Sequence, residues 1–239
     1  KIAVIGRNGA GKSTLLQALS GLMQPAKGSV LLDGIDMTHI DPADVRRDVC
    51  LLSQNARLFH GTLRENLKLG APLASDDMVI DALTTAGAWA YVQRLPLGLD
   101  HPLQEGGLGL SGGQRQAILL ARLILRKPRV MLLDEPTTAM DEATERDVIA
   151  SLHRLSSAST LIVATHRMAL VEGVDRIIVV DGGAIALDGA KDDVINRLRA
   201  NDVPSPPRQT TKKSAPTRLF VRPRETDTSR EPSSRTELK

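Results

Sequence analysis

The most constraining feature of this sequence is a short apolar run that leads directly into a glycine-rich stretch. Ile2–Ile5 contains only apolar residues, a pattern typical of a strand buried on both faces of a sheet. Gly6–Ser13 follows at once and matches the pattern G-x-x-x-x-G-K-[S/T] at every fixed position. In Lys12–Ser20 the leucines recur on one side, which indicates a helix. This order predicts a phosphate-binding loop between a buried strand and a helix.

The residue types of the loop fit phosphate chemistry. Glycines let backbone N–H groups converge on phosphate oxygens without side-chain clashes, and a helix N-terminus favours anions. We expect Lys12 to reach the β- and γ-phosphates of a nucleotide and Ser13 to bind Mg²⁺. The residues predicted to bind the nucleotide are Gly6, Asn8, Gly9, Gly11, Lys12, Ser13 and Thr14. The alternative, a glycine turn that binds nothing, is disfavoured by the complete motif in its strand-and-helix context.

Apolar runs and helical patterns alternate along the rest of the chain. The further runs that indicate buried strands are Val49–Leu52, Val130–Leu133, Leu161–Ala164 and Ile177–Val180. Turn residues at Asp33-Gly34 and at Asp181-Gly182-Gly183 indicate two small hairpins, and a closing helix is expected near residues 192–198. The alternation predicts an α/β fold of the phosphate-loop (RecA-like) type: a mostly parallel sheet, an inserted helical subdomain at about residues 62–127 and a small antiparallel β part.

Two carboxylates follow directly after the second of these apolar runs. Asp134 and Glu135 come after Val130–Leu133, and the ends of buried strands are where α/β sheets bind ligands. Asp134 is suited to hold Mg²⁺, and Glu135 is suited to accept a proton from an attacking water as general base.

A second helix start has the residue types of an anion site. Ser111 is a favourable N-cap for a helix that reaches Arg126, and two glycines after the cap leave backbone amides open. One chain would then contain two anion sites for a single terminal phosphate. The simplest resolution is a dimer, in which the Ser111 loop of each chain closes over the Lys12 loop of the other.

The order and spacing of these motifs resemble the ATPase domains of ABC transporters over about residues 1–198. The resemblance implies that Gln54 senses Mg²⁺ and the attacking water, that Asp141 lies in a loop crossing the dimer interface, and that His166 contacts the γ-phosphate. The catalytic residues it implies are Lys12, Glu135 and His166, and the implied Mg²⁺ ligands are Ser13, Gln54 and Asp134. The residues implied to contact the partner's ATP are Ser111, Gly112, Gly113 and Gln114.

Two further stretches resemble exporters. They are residues 55–66 and 102–107, and together with Thr138–Asp141 they look closest to bacterial type I protein-secretion ATPases. A lipid or drug exporter and an importer's ATPase subunit are the alternatives within the family. Phe59, in the first stretch, is either a docking contact or a core aromatic.

The resemblance also implies cofactors, partners and a location. The cofactors are ATP and Mg²⁺. The partners are a second ABC ATPase domain, as a homodimer, and a transmembrane domain preceding this segment in the same chain, at the cytoplasmic face of the bacterial inner membrane. An ABC ATPase acting on DNA or ribosomes would require a long coiled coil or two tandem cassettes. A nucleotide-binding module without turnover is opposed by the presence of both Glu135 and His166.

The two ends of the chain carry separate expectations. Lys1 opens directly on a strand, so we expect an N-terminally truncated domain at residues 1–200. ABC ATPases stack adenine on an aromatic residue upstream of the phosphate loop, and none precedes Gly6 here. Residues 201–239 are rich in Pro, Ser, Thr and Arg, and we expect a disordered basic tail there.

The charge and apolar content narrow the function further. Residues 201–239 contain nine Lys/Arg and five Asp/Glu, a balance of +4, whereas the whole chain has +3. The preceding 200 residues therefore balance at −1, so no nucleic-acid partner is expected for them. No run approaches the ~18 apolar residues of a membrane-spanning helix. The single cysteine, Cys50, is expected to be a buried structural thiol.

Overall fold

The structure is a computed structural model that describes residues 1–156 and 159–200. The tail expected to be disordered, residues 201–239, lies outside the described residues. The strands are β1 (Ile2–Ile5), β2 (Leu31–Leu32), β3 (Ile35–Asp36), β4 (Val49–Leu52), β5 (Gly61–Thr62), β6 (Pro102–Leu103), β7 (Val130–Asp134), β8 (Thr160–Ala164), β9 (Arg176–Asp181) and β10 (Ala184–Ala190). The helices are α1 (Lys12–Leu19), α2 (Pro42–Asp48), α3 (Leu63–Lys68), α4 (Asp76–Thr85), α5 (Trp89–Val92), α6 (Gly112–Leu125), α7 (Glu142–Leu155), α8 (Met168–Glu172) and α9 (Lys191–Arg199).

Six of these strands form one sheet, in the order β10-β9-β1-β8-β7-β4. All neighbouring pairs are parallel except β9 with β10, which is the antiparallel hairpin predicted after Asp181. The register places Leu52 opposite Leu133, and Asp134 opposite Ala164. The predicted mostly parallel α/β sheet is therefore confirmed, and so is the short hairpin of β2 with β3.

Both faces of the sheet are buried, which explains why its strands are continuous apolar runs. Successive side chains along a strand point to opposite faces. Val130 and Leu132 pack with Leu16 of α1 and Val45 of α2 on one face. Met131 and Leu133 contribute to a second cluster with the apolar sides of α4, α6 and α7.

Cys50 belongs to this second cluster and is 4% exposed. Burial raises the pKa of its thiol, because the thiolate is poorly solvated there. The prediction of a buried structural thiol is confirmed.

The region expected to be mostly helical contains α3, α4, α5 and α6, together with a small ribbon. In this ribbon β5 pairs with β6, with Gly61 opposite Leu103. The local sequence did not predict the pairing, because its two strands are distant in sequence and two residues long each. None of the helices in the described ranges has the length and apolar character needed to cross a bilayer.

Candidate nucleotide-binding site

Four neighbouring strands, β1, β8, β7 and β4, end at one edge of the sheet. Because these strands are parallel, the residues that follow them lie along the same edge. The Thr165 N–H donates to the Val4 carbonyl (3.1 Å), and the Glu135 N–H donates to the Ala164 carbonyl (2.9 Å). Gln54 is exposed in the turn after β4. The fold thus brings together the loop that starts at Gly6 and the chain segments that carry Gln54, Asp134, Glu135 and His166.

The glycine-rich loop has a backbone that only glycine adopts readily. Gly9 and Gly11 have φ of 78° and 106°, in the left-handed region. Gly11 is the N-cap of α1 and provides no side-chain cap, so the first amides of this helix are not satisfied by a capping side chain. The loop therefore presents backbone donors at a helix N-terminus, as phosphate binding requires.

Lys12 is held inside the same loop. Its side chain is 8% exposed, and its ammonium donates to the carbonyls of Gly6 (2.9 Å) and Arg7 (3.1 Å). This places a positive charge within the curve of the loop, where phosphate oxygens would replace or join the carbonyl acceptors. Asn8, Ser13 and Thr14 occupy the loop and the first turn of α1, as predicted.

Residues that are distant in sequence pack against the phosphate loop. A Cβ atom added to Gly6 would lie 2.1 Å from the Val180 carbonyl oxygen, so no larger residue fits there. The Gly183 N–H donates to the Ala10 carbonyl (3.1 Å). The hairpin of β9 and β10 thus fixes the position of the loop, which explains Gly6 by packing as well as by phosphate approach.

The two carboxylates after β7 have different surroundings. Asp134 is 5% exposed at the strand end. Glu135 has φ of 50°, a left-handed conformation that is uncommon for a residue with a side chain. Its Oε1 lies 2.8 Å from Nδ1 of His166, and its Oε2 accepts from the Thr138 hydroxyl (3.1 Å) and from the Thr165 hydroxyl (3.4 Å). The Glu135 carboxylate is therefore fixed in direction at the sheet edge.

His166 connects this carboxylate to solvent. Its side chain is 59% exposed, whereas that of Glu135 is 11% exposed. Because a carboxylate only accepts hydrogen bonds, Nδ1 of the histidine is the donor in their contact and Nε2 is left for another partner. Their contact was not predicted, since they lie 31 residues apart in sequence, although the strands they follow are neighbours in the sheet.

The residues expected to hold Mg²⁺ are a hydroxyl, an amide and a carboxylate. Ser13 lies in the first turn of α1, which packs against β7, where Asp134 ends the strand. The described residues contain no group of three His, Cys, Asp or Glu that could hold a metal ion by themselves. Mg²⁺ prefers few protein ligands, combined with water and phosphate oxygens. The buried Asp134 carboxylate and the Ser13 hydroxyl beside a phosphate loop fit this donor set.

At the start of α6, backbone N–H groups are hydrogen-bonded by side chains of the same segment. The Ser111 hydroxyl accepts from the Gln114 N–H (3.1 Å), and the Gln114 side chain accepts from the Ser111 N–H (2.9 Å). Ser111 and Gly112 are exposed. A Cβ atom on Gly113 would lie 2.7 Å from the Ala139 carbonyl oxygen. Gly113 is therefore required by contact with the segment after Glu135, a constraint that the local sequence does not reveal.

Several polar residues that the sequence analysis missed hold the segment between Glu135 and α7. The Thr137 hydroxyl donates to Glu145 Oε1 (2.6 Å), and both residues are buried. Arg167 donates to Glu145 Oε2 (2.9 Å) and to the Thr138 carbonyl (3.2 Å). The one available signal was position: Arg167 directly follows His166, and Glu145 lies in the first turn of a helix.

Asp141 is the N-cap of α7. Its carboxylate accepts from the Thr144 N–H (3.0 Å), the Thr144 hydroxyl (2.8 Å) and the Ala143 N–H (3.1 Å). These bonds, those of Thr144 foremost, lower the pKa of Asp141 below its ordinary value. Its expected place in a dimer-crossing loop stays a prediction.

Phe59 lies in an exposed loop after β4. Its side chain is 52% exposed, and the Arg122 guanidinium lies 5.6 Å from its ring centroid. Asn66, which is 2% exposed, bonds both the N–H (2.8 Å) and the carbonyl (2.9 Å) of Phe59. The core-aromatic alternative is therefore wrong, because a buried amide holds this loop with its aromatic ring outward.

The two stretches that resemble exporters are in contact with each other. The His60 N–H donates to the Glu105 carboxylate (3.1 Å), and the Gly106 N–H donates to the Leu58 carbonyl (2.9 Å). The loop after β4 and the segment before Ser111 thus form one surface.

Comparisons with known proteins agree with this geometry. The sequence profile described as "ABC transporter" matches residues 1–138. The chain is 40% identical over 195 residues to the ATP-dependent lipid A-core flippase of Neisseria gonorrhoeae, covering 82% of this chain and 31% of the flippase. It is 38% identical over 194 residues to the cyclolysin secretion/processing ATP-binding protein CyaB of Bordetella pertussis, covering 81% of this chain and 27% of CyaB.

A third relative is the mycobactin import ATP-binding/permease protein IrtB of Mycolicibacterium thermoresistibile, 40% identical over 193 residues, with coverage of 81% and 33%. The chain thus spans about a third of the length of the curated relatives it matches. Among solved structures, a bacterial Atm1-family ABC exporter with ATP bound superposes with a TM-score of 0.79 at 34% identity, covering 82% of this chain and 35% of the exporter. The matching profile, the identity to these relatives and the likeness to that exporter show that this chain belongs to the ABC transporter family as one of its ATP-binding domains, in agreement with its phosphate loop, paired carboxylates and capped helix start.

Proposed function

We propose that this chain binds ATP with Mg²⁺ at its phosphate loop and hydrolyses the bond to the terminal phosphate. The observation that carries the proposal is the contact of Glu135 with His166, at the sheet edge where Lys12 and Asp134 also lie. A fixed carboxylate beside a phosphate loop can act on a water molecule that attacks the terminal phosphorus.

Each residue of the site has one role in this reaction. The loop amides and the Lys12 ammonium would hold the phosphate oxygens; Ser13, Gln54 and Asp134 would hold Mg²⁺, which would neutralise phosphate charge. Glu135 takes a proton from water as the water oxygen bonds to the γ-phosphorus, and the bond from that phosphorus to the bridging oxygen breaks. ADP and inorganic phosphate are the products. His166 would contact a γ-phosphate oxygen through its exposed ring.

The proposed working unit is a dimer of two such chains. Ser111 and Gly112 are exposed at the start of α6. Gly112, Gly113 and Gln114 would join Ser111 around the ATP held by the partner's Lys12 loop. Asp141 would lie in the segment that crosses between the two chains. A homodimer is the simplest form.

The setting we propose is an exporter whose ATPase domain is residues 1–200, with a helical subdomain at about residues 62–127. The exposed Phe59 loop, braced by Glu105, supports a docking surface for a transmembrane domain of the same protein. The domain would lie at the cytoplasmic face of the bacterial inner membrane. Type I protein secretion is the finer proposal, supported by residues 102–107 and by the similarity to CyaB. A lipid exporter is the alternative, supported by the similarity to the lipid A-core flippases.

Reading the coding sequence upstream of residue 1 tests the exporter setting. Several apolar spans of at least ~18 residues, in frame with this domain, are the expected result. A start codon directly before residue 1 would contradict the single-chain exporter. It would favour a separate ATPase subunit of the importer type.

The ATPase proposal is tested with Glu135→Gln, compared with Glu172→Gln at an exposed position on α8. The amide keeps the shape of the side chain but cannot accept the proton. We expect phosphate release to fall at least about 100-fold, while ATP stays bound and holds two chains together in size-exclusion chromatography. The Glu172 variant is expected to behave as the unsubstituted chain. Normal hydrolysis by Glu135→Gln would move the general base elsewhere.

A further inference from the structure

The side chain of Gln116 joins two points of the segment that follows β7. Gln116 is half-buried in the second turn of α6. Its Nε2 donates to the Glu135 carbonyl, and its Oε1 accepts from the Ala139 N–H (3.0 Å). A single amide therefore spans residues 135–139 and uses both its donor and its acceptor on backbone groups.

The backbone that Gln116 holds is the unusual one at Glu135. Its φ of 50° is a conformation that residues with side chains keep only when their surroundings fix it. The Glu135 N–H is bonded to the Ala164 carbonyl (2.9 Å), and its carbonyl is bonded to Gln116. With both flanking backbone groups held, the direction of the Glu135 side chain toward His166 is determined.

The same helix begins at the residue assigned to the partner's nucleotide. Ser111 is the N-cap of α6, and Gly113 in its first turn touches the Ala139 carbonyl so closely that a Cβ atom would lie 2.7 Å away. Gln116 sits one turn further along the helix. The same helix therefore contacts the segment that follows Glu135, while its exposed N-cap is the residue proposed to contact the partner's nucleotide.

We propose that Gln116 is a positioning residue for the hydrolytic step: it holds Glu135 in its left-handed conformation and ties that carboxylate to the helix that starts at Ser111. The inference rests on the proposed function, in which Glu135 is the general base. Gln116 acts on its own chain's Glu135, and so on the ATP bound by the same chain. It does not touch substrate.

The first measurement needs no turnover. In Gln116→Leu the Ala139 N–H loses its acceptor, and hydrogen exchange at this amide is expected to accelerate at least about tenfold. Gln116→Glu retains an acceptor oxygen for Ala139 and is expected to leave that amide protected. Gln93→Leu, at an exposed position after α5, is the matched control and is expected to change neither. If hydrogen exchange at the Ala139 amide is unchanged in Gln116→Leu, then Gln116 does not hold the segment of residues 135–139, and the proposal is overturned.

The second measurement separates binding from chemistry. We expect Gln116→Leu to lower kcat about tenfold to 100-fold, since small misplacements of a catalytic group cost that much. The affinity for ATP is expected to remain within about twofold of that of Gln93→Leu, because Gln116 bonds no part of the phosphate loop.

Gln116→Glu adds a pH signature. When the carboxylate introduced at position 116 is ionised, it repels the carbonyl oxygen of Glu135. When it is protonated, it can donate a hydrogen bond to that oxygen. The rate of this variant, relative to the unsubstituted chain, is therefore expected to rise as the pH falls from 8 to 6. A ratio that stays flat, or a loss confined to ATP affinity, would overturn the positioning role.

Mixed dimers test whether the effect stays within one chain. Lys12→Ala in one chain leaves a single working site, whose Lys12 and Glu135 belong to the other chain. Gln116→Leu placed in that other chain is expected to lower the rate as in the homodimer. Placed instead in the Lys12→Ala chain, it is expected to leave the rate near that of the Lys12→Ala mixture alone.

Equal losses in both arrangements would indicate general loosening of α6 and would overturn the proposal. If Glu135→Gln hydrolyses ATP normally, the proposed function itself fails. Hydrogen exchange at the Ala139 amide would then still show whether Gln116 holds residues 135–139. Failure of the positioning role and failure of the proposed function are therefore distinguishable.

Discussion

The starts of α1 and α6 are both glycine-rich helix N-termini, yet they are built in opposite ways. Gly11 caps α1 without a side chain, whereas Ser111 and Gln114 close the start of α6 by reciprocal hydrogen bonds. Lys12 adds a buried ammonium to the first start, and no cation occupies the corresponding position after Ser111. The first start is open to a ligand of its own chain. The second is largely satisfied and offers an exposed edge, which suits a ligand already held by something else.

The largest effect is expected when the positive charge of Lys12 is removed from the start of α1. Lys12→Ala is expected to lower kcat for ATP hydrolysis at least about 100-fold, the cost of losing one positioned donor to developing charge, and to weaken ATP binding. Phosphate release and equilibrium binding are the measurements, with Lys27→Ala at an exposed position as the control. Turnover near that of the unsubstituted chain would refute the assignment of the loop.

Ser111→Arg tests the role of the start of α6. A bulky charge there is expected to lower hydrolysis about 100-fold by preventing closure over the partner's nucleotide, while ATP binding by the single chain stays nearly unchanged. Ser29→Arg, also exposed, is the matched control. Mixing Ser111→Arg with Lys12→Ala chains is expected to restore activity, because one composite site of the mixed dimer is intact. Normal hydrolysis by Ser111→Arg alone would exclude a shared site.

Ser111→Ala measures how much the capping hydrogen bond of Ser111 stabilises the fold, separately from the proposed contact of this residue with nucleotide. The capping bond to Gln114 is lost, so we expect about 1 kcal/mol lower stability to chemical unfolding. The denaturation midpoint of the unsubstituted chain provides the comparison. An unchanged midpoint in Ser111→Ala would show that the capping box contributes nothing measurable.

The last prediction concerns the choice of nucleotide base. The described aromatic residues, Phe59, Trp89 and Tyr91, lie in the loop after β4 and in α5, and none precedes the phosphate loop. A polypeptide of residues 1–239 is therefore expected to bind ATP and GTP within about tenfold of each other, the factor that 1.4 kcal/mol of base contacts would produce. A titration with a much stronger preference for ATP would reveal a stacking residue elsewhere in the chain.

Prediction from sequence worked where physical constraints were local. Strands β1, β4, β7, β8 and β9 are apolar runs because both faces of the sheet are covered, and each run was recognised within a residue or two of its observed bounds. The phosphate loop and the Ser111 cap were likewise recognisable, since neighbouring residues define them.

What could not be predicted depends on contacts between distant residues. Gly6 is required by the Val180 carbonyl and Gly113 by the Ala139 carbonyl, although both were interpreted only as making room for phosphate. The amide bridge of Gln116 also needs the packed helix and loop to be visible. For the helix α2 a local signal was nonetheless present, since Asp41 directly precedes Pro42.

The central position of β1 has a consequence for the order in which the protein forms. Ile2 pairs with Ile162 on one side and with Arg176 on the other, so β1 leaves the ribosome before both of its neighbours and pairs with them only after most of the domain has been made. Until then its apolar side chains are available to chaperones or to wrong partners. Pairings between such distant residues also slow folding. We expect nascent chains that end before β8 to remain protease-sensitive and unable to bind nucleotide, and this capacity to appear abruptly once the hairpin of β9 and β10 has emerged.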